Sequence, residues 1–174
     1  MVLQKKRRAH MQDDATKVYS TRQENMIADY LGWEIVPASG ARDFNPGDVR
    51  SERFLGECKT HVTKVPRIDI FFDVWAKLDD EATSQMRTPV LFVDNGTQRD
   101  LDTWAIIPAK FAVTDKDIAI GGIDVTFRKT KATFSHGGLK QALCGRSIGK
   151  FTHRKLELAI MSLSTFKYLI EIGE

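Results

Sequence analysis

Ser39-Gly-Ala-Arg-Asp-Phe-Asn-Pro-Gly-Asp48-Val-Arg-Ser-Glu-Arg-Phe-Leu-Gly-Glu57-Cys-Lys59-Thr60 is the stretch on which the reading of this chain turns. Gly40, Asn45, Pro46 and Gly47 are turn formers. After them the chain becomes extended, and Arg53 to Thr60 predicts a strand. Side chains alternate along a strand, so Glu57 and Lys59 project together while Cys58 points the other way. With Asp48 opening the partner strand of a hairpin, its carboxylate reaches the Glu57 side. Two acids and an ammonium then converge on one point.

Those residue types are what metal-assisted hydrolysis of a phosphodiester requires. The diester repels hydroxide, so a cation must neutralise charge, acidify its bound water and stabilise the leaving oxygen. Magnesium prefers hard oxygen ligands and keeps several waters, so one or two carboxylates plus substrate phosphate suffice. Manganese can substitute. The backbone carbonyl of Cys58 offers one more ligand, and Lys59 can orient the attacking water or offset charge on the pentacovalent phosphate. The alternative is a surface hairpin with scattered charges, and the spacing alone does not decide between the two.

Upstream, Thr21 to Leu31 predicts a helix with Met26, Ile27, Tyr30 and Leu31 on its apolar face. At 100° per residue, Glu24 lies within about 40° of Ala28 and Leu31, on the buried side. A helical Glu facing inward needs a metal, a lysine or an arginine. Its alternative is a capping box, which Thr21-x-x-Glu24 and Ser20-x-x-Gln23 both fit.

The order of helix, short strand Trp33-Glu-Ile-Val36, Ala38-Ser39-Gly40 loop, Asp48 and Glu57-Cys-Lys59 resembles the catalytic core of the PD-(D/E)XK nuclease superfamily. Within it, the chain resembles the archaeal-type and phage Holliday junction resolvases, over Ser20 to about Ile107. Pro89-Val-Leu-Phe-Val-Asp94 continues the likeness as a fourth strand. One departure is that Gly47 stands between Pro46 and Asp48, where the superfamily's proline usually abuts the acid. The resemblance implies a restriction-endonuclease-like mixed β-sheet flanked by helices, with Glu24, Asp48 and Glu57 as metal-site acids and Lys59 as the catalytic lysine. It also implies a homodimer, because a four-way junction offers two equivalent strands to cut. The host would be a bacterial, archaeal or phage-infected cell.

Net charge of +3 understates the electrostatics, because charges are segregated. Val125 to Leu156 contains no acid, yet carries Arg128, Lys129, Lys131, Lys140, Arg146, Lys150, Arg154 and Lys155. Such a block suits a phosphate backbone as partner. Arg22, Lys64 and Arg67 are placed to bind flanking phosphates, and Ser39 and Arg42 to contact the scissile strand. Lys5-Lys6-Arg7-Arg8 reads as part of a basic flexible tail over residues 1–18, with no apolar run after it for a signal peptide. No segment is apolar for long enough to span a membrane. Cys58 and Cys144 form no disulfide or metal framework, and the expected compartment is the cytoplasm.

Further along, Pro66 to about Gln85 predicts a second helix burying Ile68, Phe71, Phe72, Trp75 and Leu78, with Asp69 and Asp73 solvated on its surface. Thr88 to Asp94 and Asp102 to Ile107 predict paired strands joined through Asn95-Gly96. Residues 19–107 thus form an α/β core. Residues 108–174 add a basic, β-rich extension: possible strands at 118–127 and 132–136, a strand at 155–163, and a terminal helix capped by Ser164. The expected activity is structure-selective cleavage of branched double-stranded DNA. A restriction- or repair-type endonuclease of the same fold, a DNA-binding module without catalysis, and a basic interaction protein are the alternatives.

Overall fold

The computed structural model describes the backbone of residues 2–37, 46–112 and 118–173, and side chains within those ranges from Thr16 onward. Helix α1 (Val2–Leu31) leads into β1 (Glu34–Ile35), β2 (Val49–Arg50), β3 (Phe54–Lys59) and β4 (Arg67–Phe71). Helix α2 (Phe72–Ser84), β5 (Thr88–Asp94), β6 (Thr103–Pro108), β7 (Ala119–Gly121), β8 (Thr126–Phe127) and β9 (Lys131–Ser135) follow. The chain closes with α3 (His136–Ala142), β10 (Ser147–His153), β11 (Leu156–Ser162) and α4 (Leu163–Ile172). Eight strands form one mixed sheet in the order β1-β2-β3-β5-β6-β11-β10-β7; β4, β9 and β8 form a second. β3 and β5 run parallel, as do β7 and β10.

The central strands β5, β6 and β11 of the main sheet are apolar on both sides because both faces are covered there. Val90 and Phe92 of β5 meet Ile27 and Ala28 of α1 and Phe166 of α4 on one face. Leu91 and Val93 turn to the other, against Trp75 and Leu78 of α2, Ile68 and Ile70 of β4, and Phe134 of β9. The fold is therefore α/β, a mixed eight-stranded sheet flanked by helices, with the small sheet packed on one side. Helix α1 stops at Gly32, whose φ of +70° suits a left-handed helix terminus. The chain then drops Trp33 against Phe54, Phe92 and Phe166, with ring centroids 5.6–5.9 Å apart. No helix among the described residues is long and apolar enough to cross a membrane.

Several expectations change. The helix read from Pro66 begins only at Phe72, because Arg67–Phe71 pairs along its whole length with Lys131–Ser135 of β9. Phe71 is exposed, and Asp69, expected on a helix surface in water, is buried on β4. The strands foreseen at 118–127 and 132–136 divide between the two sheets. β10 and α3 were not anticipated. The cap of the last helix is Ser162 rather than Ser164; its hydroxyl accepts from the Thr165 amide at 3.1 Å. α1 includes the segment read as a tail, and β11 joins the main sheet beside β6.

Candidate active site

The hairpin that carries Asp48 is short on one side. β2 has two residues, so β3 outlasts its partner and its outer edge at Cys58 has no strand beside it. Asp48 fills the gap. Its amide donates to the Gly56 carbonyl at 2.8 Å, and its Oδ2 accepts from the Cys58 amide at 2.8 Å. The carboxylate thus satisfies a backbone donor that burial would otherwise strand. Gly47 makes this placement possible: its φ is +79°, and a Cβ there would come within 2.7 Å of Leu55 Cδ1. This turn needs a glycine at position 47.

On β3, Glu57 and Lys59 share a face, with Lys59 Nζ 2.6 Å from Glu57 Oε1. Cys58 projects oppositely into the core. Burial and then the nearby Asp48 charge push the Glu57 carboxyl above its ordinary value, against the pull of Lys59. Burial lowers Lys59, but the Glu57 charge and hydrogen bond more than offset it, so the amine stays protonated at neutral pH. Burial and the surrounding acids push the Cys58 thiol well up. Cys58 is therefore held as a neutral thiol in the core.

Glu24 lies within electrostatic reach of both strand acids. Its carboxyl is raised first by burial, then by Asp48 and Glu57, with Lys59 acting the other way. The capping-box alternative falls, because α1 runs through residues 20–24 without starting there. The sequence reading missed Gln23, which is wholly buried beside it. Its Nε2 donates to the Lys59 carbonyl at 3.2 Å, linking the helix of Glu24 to the strand of Glu57. Its Oε1 has no partner among the described residues. An apolar-periodicity search passes over such a residue; only its place beside an inward Glu signals it.

The donor chemistry suits a hard divalent cation: carboxylate oxygens in a part-buried setting, with Glu24 and Glu57 both raised by burial and by the Asp48 charge. Among the described residues, no three His, Cys, Asp or Glu side chains are gathered as a ready ligand set. Magnesium with retained waters and substrate phosphate needs only one or two carboxylates from the protein.

The expected DNA contacts fall into groups. Arg22 is exposed on α1 and Lys64 on the loop after β3. Arg67 and Lys131 both pair with Asp69, at 3.1 and 3.0 Å. Lys140 pairs with Asp102. Arg146 lies 3.7 Å over the Tyr168 ring. Arg128, Lys129 and Lys150 are exposed. The basic block thus does have counter-charges, supplied by acids from distant segments. Ser39 and Arg42 lie outside the described residues.

No protein-family model matches the chain, nor does any curated protein or solved structure.

Proposed function

We propose that this chain is a magnesium-dependent, structure-selective DNA endonuclease that resolves four-way branched DNA. The observation that carries the reading is that Glu24 and Glu57, both part-buried, each feel the charge of Asp48 beside a protonated lysine, Lys59. The element order supports it: α1, the antiparallel run β1-β2-β3, then α2 and β5 returning parallel to β3, resembles a restriction-endonuclease-like core.

Asp48, Glu57 and the Cys58 carbonyl would hold Mg2+ or Mn2+, with Glu24 as the outer acid. Bound there, the cation neutralises phosphate charge and acidifies a water. Lys59, kept cationic by Glu57, donates to a phosphate oxygen and balances the charge that builds on it; a protonated amine is no general base. Gln23 holds the end of β3 against α1, so that Glu24 and Lys59 keep their relative placement. Homodimer formation follows from the two equivalent strands of a junction, and the cytoplasm is where such DNA would be met.

The test is a plasmid with and without an extruded cruciform, in magnesium. Cutting confined to the cruciform form is expected; cutting that ignores the branch moves the enzyme to the restriction or repair class. Asp48→Asn and Glu57→Gln should each lower cleavage by about 1,000-fold or more, roughly 4 kcal/mol in the barrier, while junction affinity holds or improves. Either variant cutting at the wild-type rate would remove the assigned site.

A further inference from the structure

The turn joining β8 to β9 presents Arg128 and Lys129, closed by the Arg128 amide donating to the Lys131 carbonyl at 2.8 Å. The turn joining β10 to β11 presents Arg154 and Lys155. These tips belong to different sheets, yet the residues leading into them are joined. His153 stacks on Phe127 with centroids 5.1 Å apart, and on Phe72 at 4.4 Å. Two hairpin ends and the start of α2 are thereby stapled together, the last also through the Phe72 amide donating to the Thr130 carbonyl at 3.0 Å. Arg154 holds a φ of +57°, a turn conformation that glycine or asparagine adopts with less strain. Among the described residues, none of the four tip cations pairs with a carboxylate.

The register locates this cluster. Lys59 aligns through Val93 and Trp104 with Ser162, six residues along β11 from Leu156, the partner of His153. β10 is four strands across the sheet from β3. At about 3.3 Å per residue and about 4.8 Å per strand, His153 lies roughly 25–30 Å from Lys59. Glu57 shares the sheet face of Leu91, Ile106 and Ile160, and Phe151 packs with that same set, so His153, two residues on, projects from that face too.

We infer that the paired tips form a distal clamp for a duplex DNA arm: Arg128, Lys129, Arg154 and Lys155 hold backbone phosphates about 8 or more base pairs from the cleaved bond, at about 3.4 Å rise per pair. This rests on the endonuclease reading. Four cations that no described carboxylate neutralises, held on an aromatic staple, match the charge of a phosphate backbone. The acid site can engage the branch, and the tips engage what extends from it.

The test is binding of a fluorescent four-way junction in calcium, so that nothing is cut, with arms of about 20 or about 5 base pairs, the shorter ending before the clamp at about 3.4 Å per pair. The variant R128A/K129A/R154A/K155A should bind the long-armed junction about 10- to 100-fold more weakly, with a salt-dependence slope lower by about 3–4. On short arms it should match the wild type within about 2-fold, since no phosphate then reaches the tips. The variant Arg128→Lys with Arg154→Lys, which keeps every charge, should bind both junctions as the wild type does. An equal loss on both arm lengths, or none on either, overturns the clamp while leaving the endonuclease reading intact. A wild type that binds neither junction overturns both.

Discussion

Two groups of acids in this protein use the same residue types and are balanced in opposite ways. Asp69, its side chain 4% exposed, receives Arg67 at 3.1 Å, Lys131 at 3.0 Å and the Thr133 hydroxyl at 2.7 Å. Asp102 receives Lys140, the His136 ring at 3.2 Å and the Thr97 hydroxyl at 2.9 Å. Burial would raise both carboxyls, but these hydrogen bonds and cations outweigh it and hold them below their ordinary range. At Glu24 and Glu57 burial wins, neighbouring acids add to it, and Lys59 cannot offset the whole. The first group is complete as structure. In the second, burial and like charge outweigh the help that Lys59 gives, which is the imbalance the proposed cation would relieve.

The largest effect should come from breaking the complete group. Asp69→Ala strands Lys131 and Arg67 without their carboxylate, and should cost about 2–4 kcal/mol in urea unfolding, discounted because Arg67 is half exposed. Asp48→Asn should leave stability within about 1 kcal/mol, because the amide oxygen can still accept from Cys58. Equal costs for the two would erase the distinction. The pH dependence has a definite sign. Asp69 and Asp102 lie below their ordinary 3.8 when folded, so their contribution is present above about pH 3.8 and is lost only as pH falls further.

What the sequence disclosed follows the same division. The acid hairpin was legible because its causes are local: Gly47 turns the chain, and alternation puts Glu57 beside Lys59. The Asp69 group was not. Arg67-Ile-Asp-Ile-Phe71 lies directly before a helix, and Ile68, Phe72 and Trp75 fit that helix's spacing, so the segment reads as its first turn. Its true partner, β9, lies some sixty residues later, and nothing in the local pattern points there. The Gly137-Gly138 pair hid α3 for a similar reason: Ser135 caps that helix, its hydroxyl accepting from Gly138 at 3.2 Å, and overrides the weak propensity. Gln23 was overlooked because a polar residue on an inward helix face carries no periodic signal.

A middle-sized effect should separate placement from structure at Gln23. Gln23→Leu removes the bond to the Lys59 carbonyl but also removes a buried acceptor that has no partner among the described residues, so stability should change by no more than about 1 kcal/mol. Turnover should fall about 10-fold with KM unchanged, since the residue sets the geometry of Lys59 and not the hold on substrate. A lower melting temperature with normal turnover per folded molecule would make Gln23 a packing residue only.

The smallest effect sharpens the contrast most directly, because it is a gain. Glu24 has a folded pKa above its ordinary 4.5, so the stability it contributes is fully present below pH 4.5 and lost as pH rises through the folded value. At pH 7 without divalent ions, the ionised carboxylate therefore weakens the fold through its burial and the Asp48 and Glu57 charges. Glu24→Gln keeps the shape and removes the charge, and should raise the melting temperature by about 1–3 °C at pH 7. The gain should shrink on acidification and vanish near pH 4.5, where the wild-type carboxyl is itself protonated. Magnesium should shrink it as well, by supplying the positive charge that the substitution makes unnecessary, and cleavage should fall with it. A loss of stability at pH 7 would place Glu24 with Asp69 as a finished structural acid and leave the metal site to Asp48 and Glu57 alone.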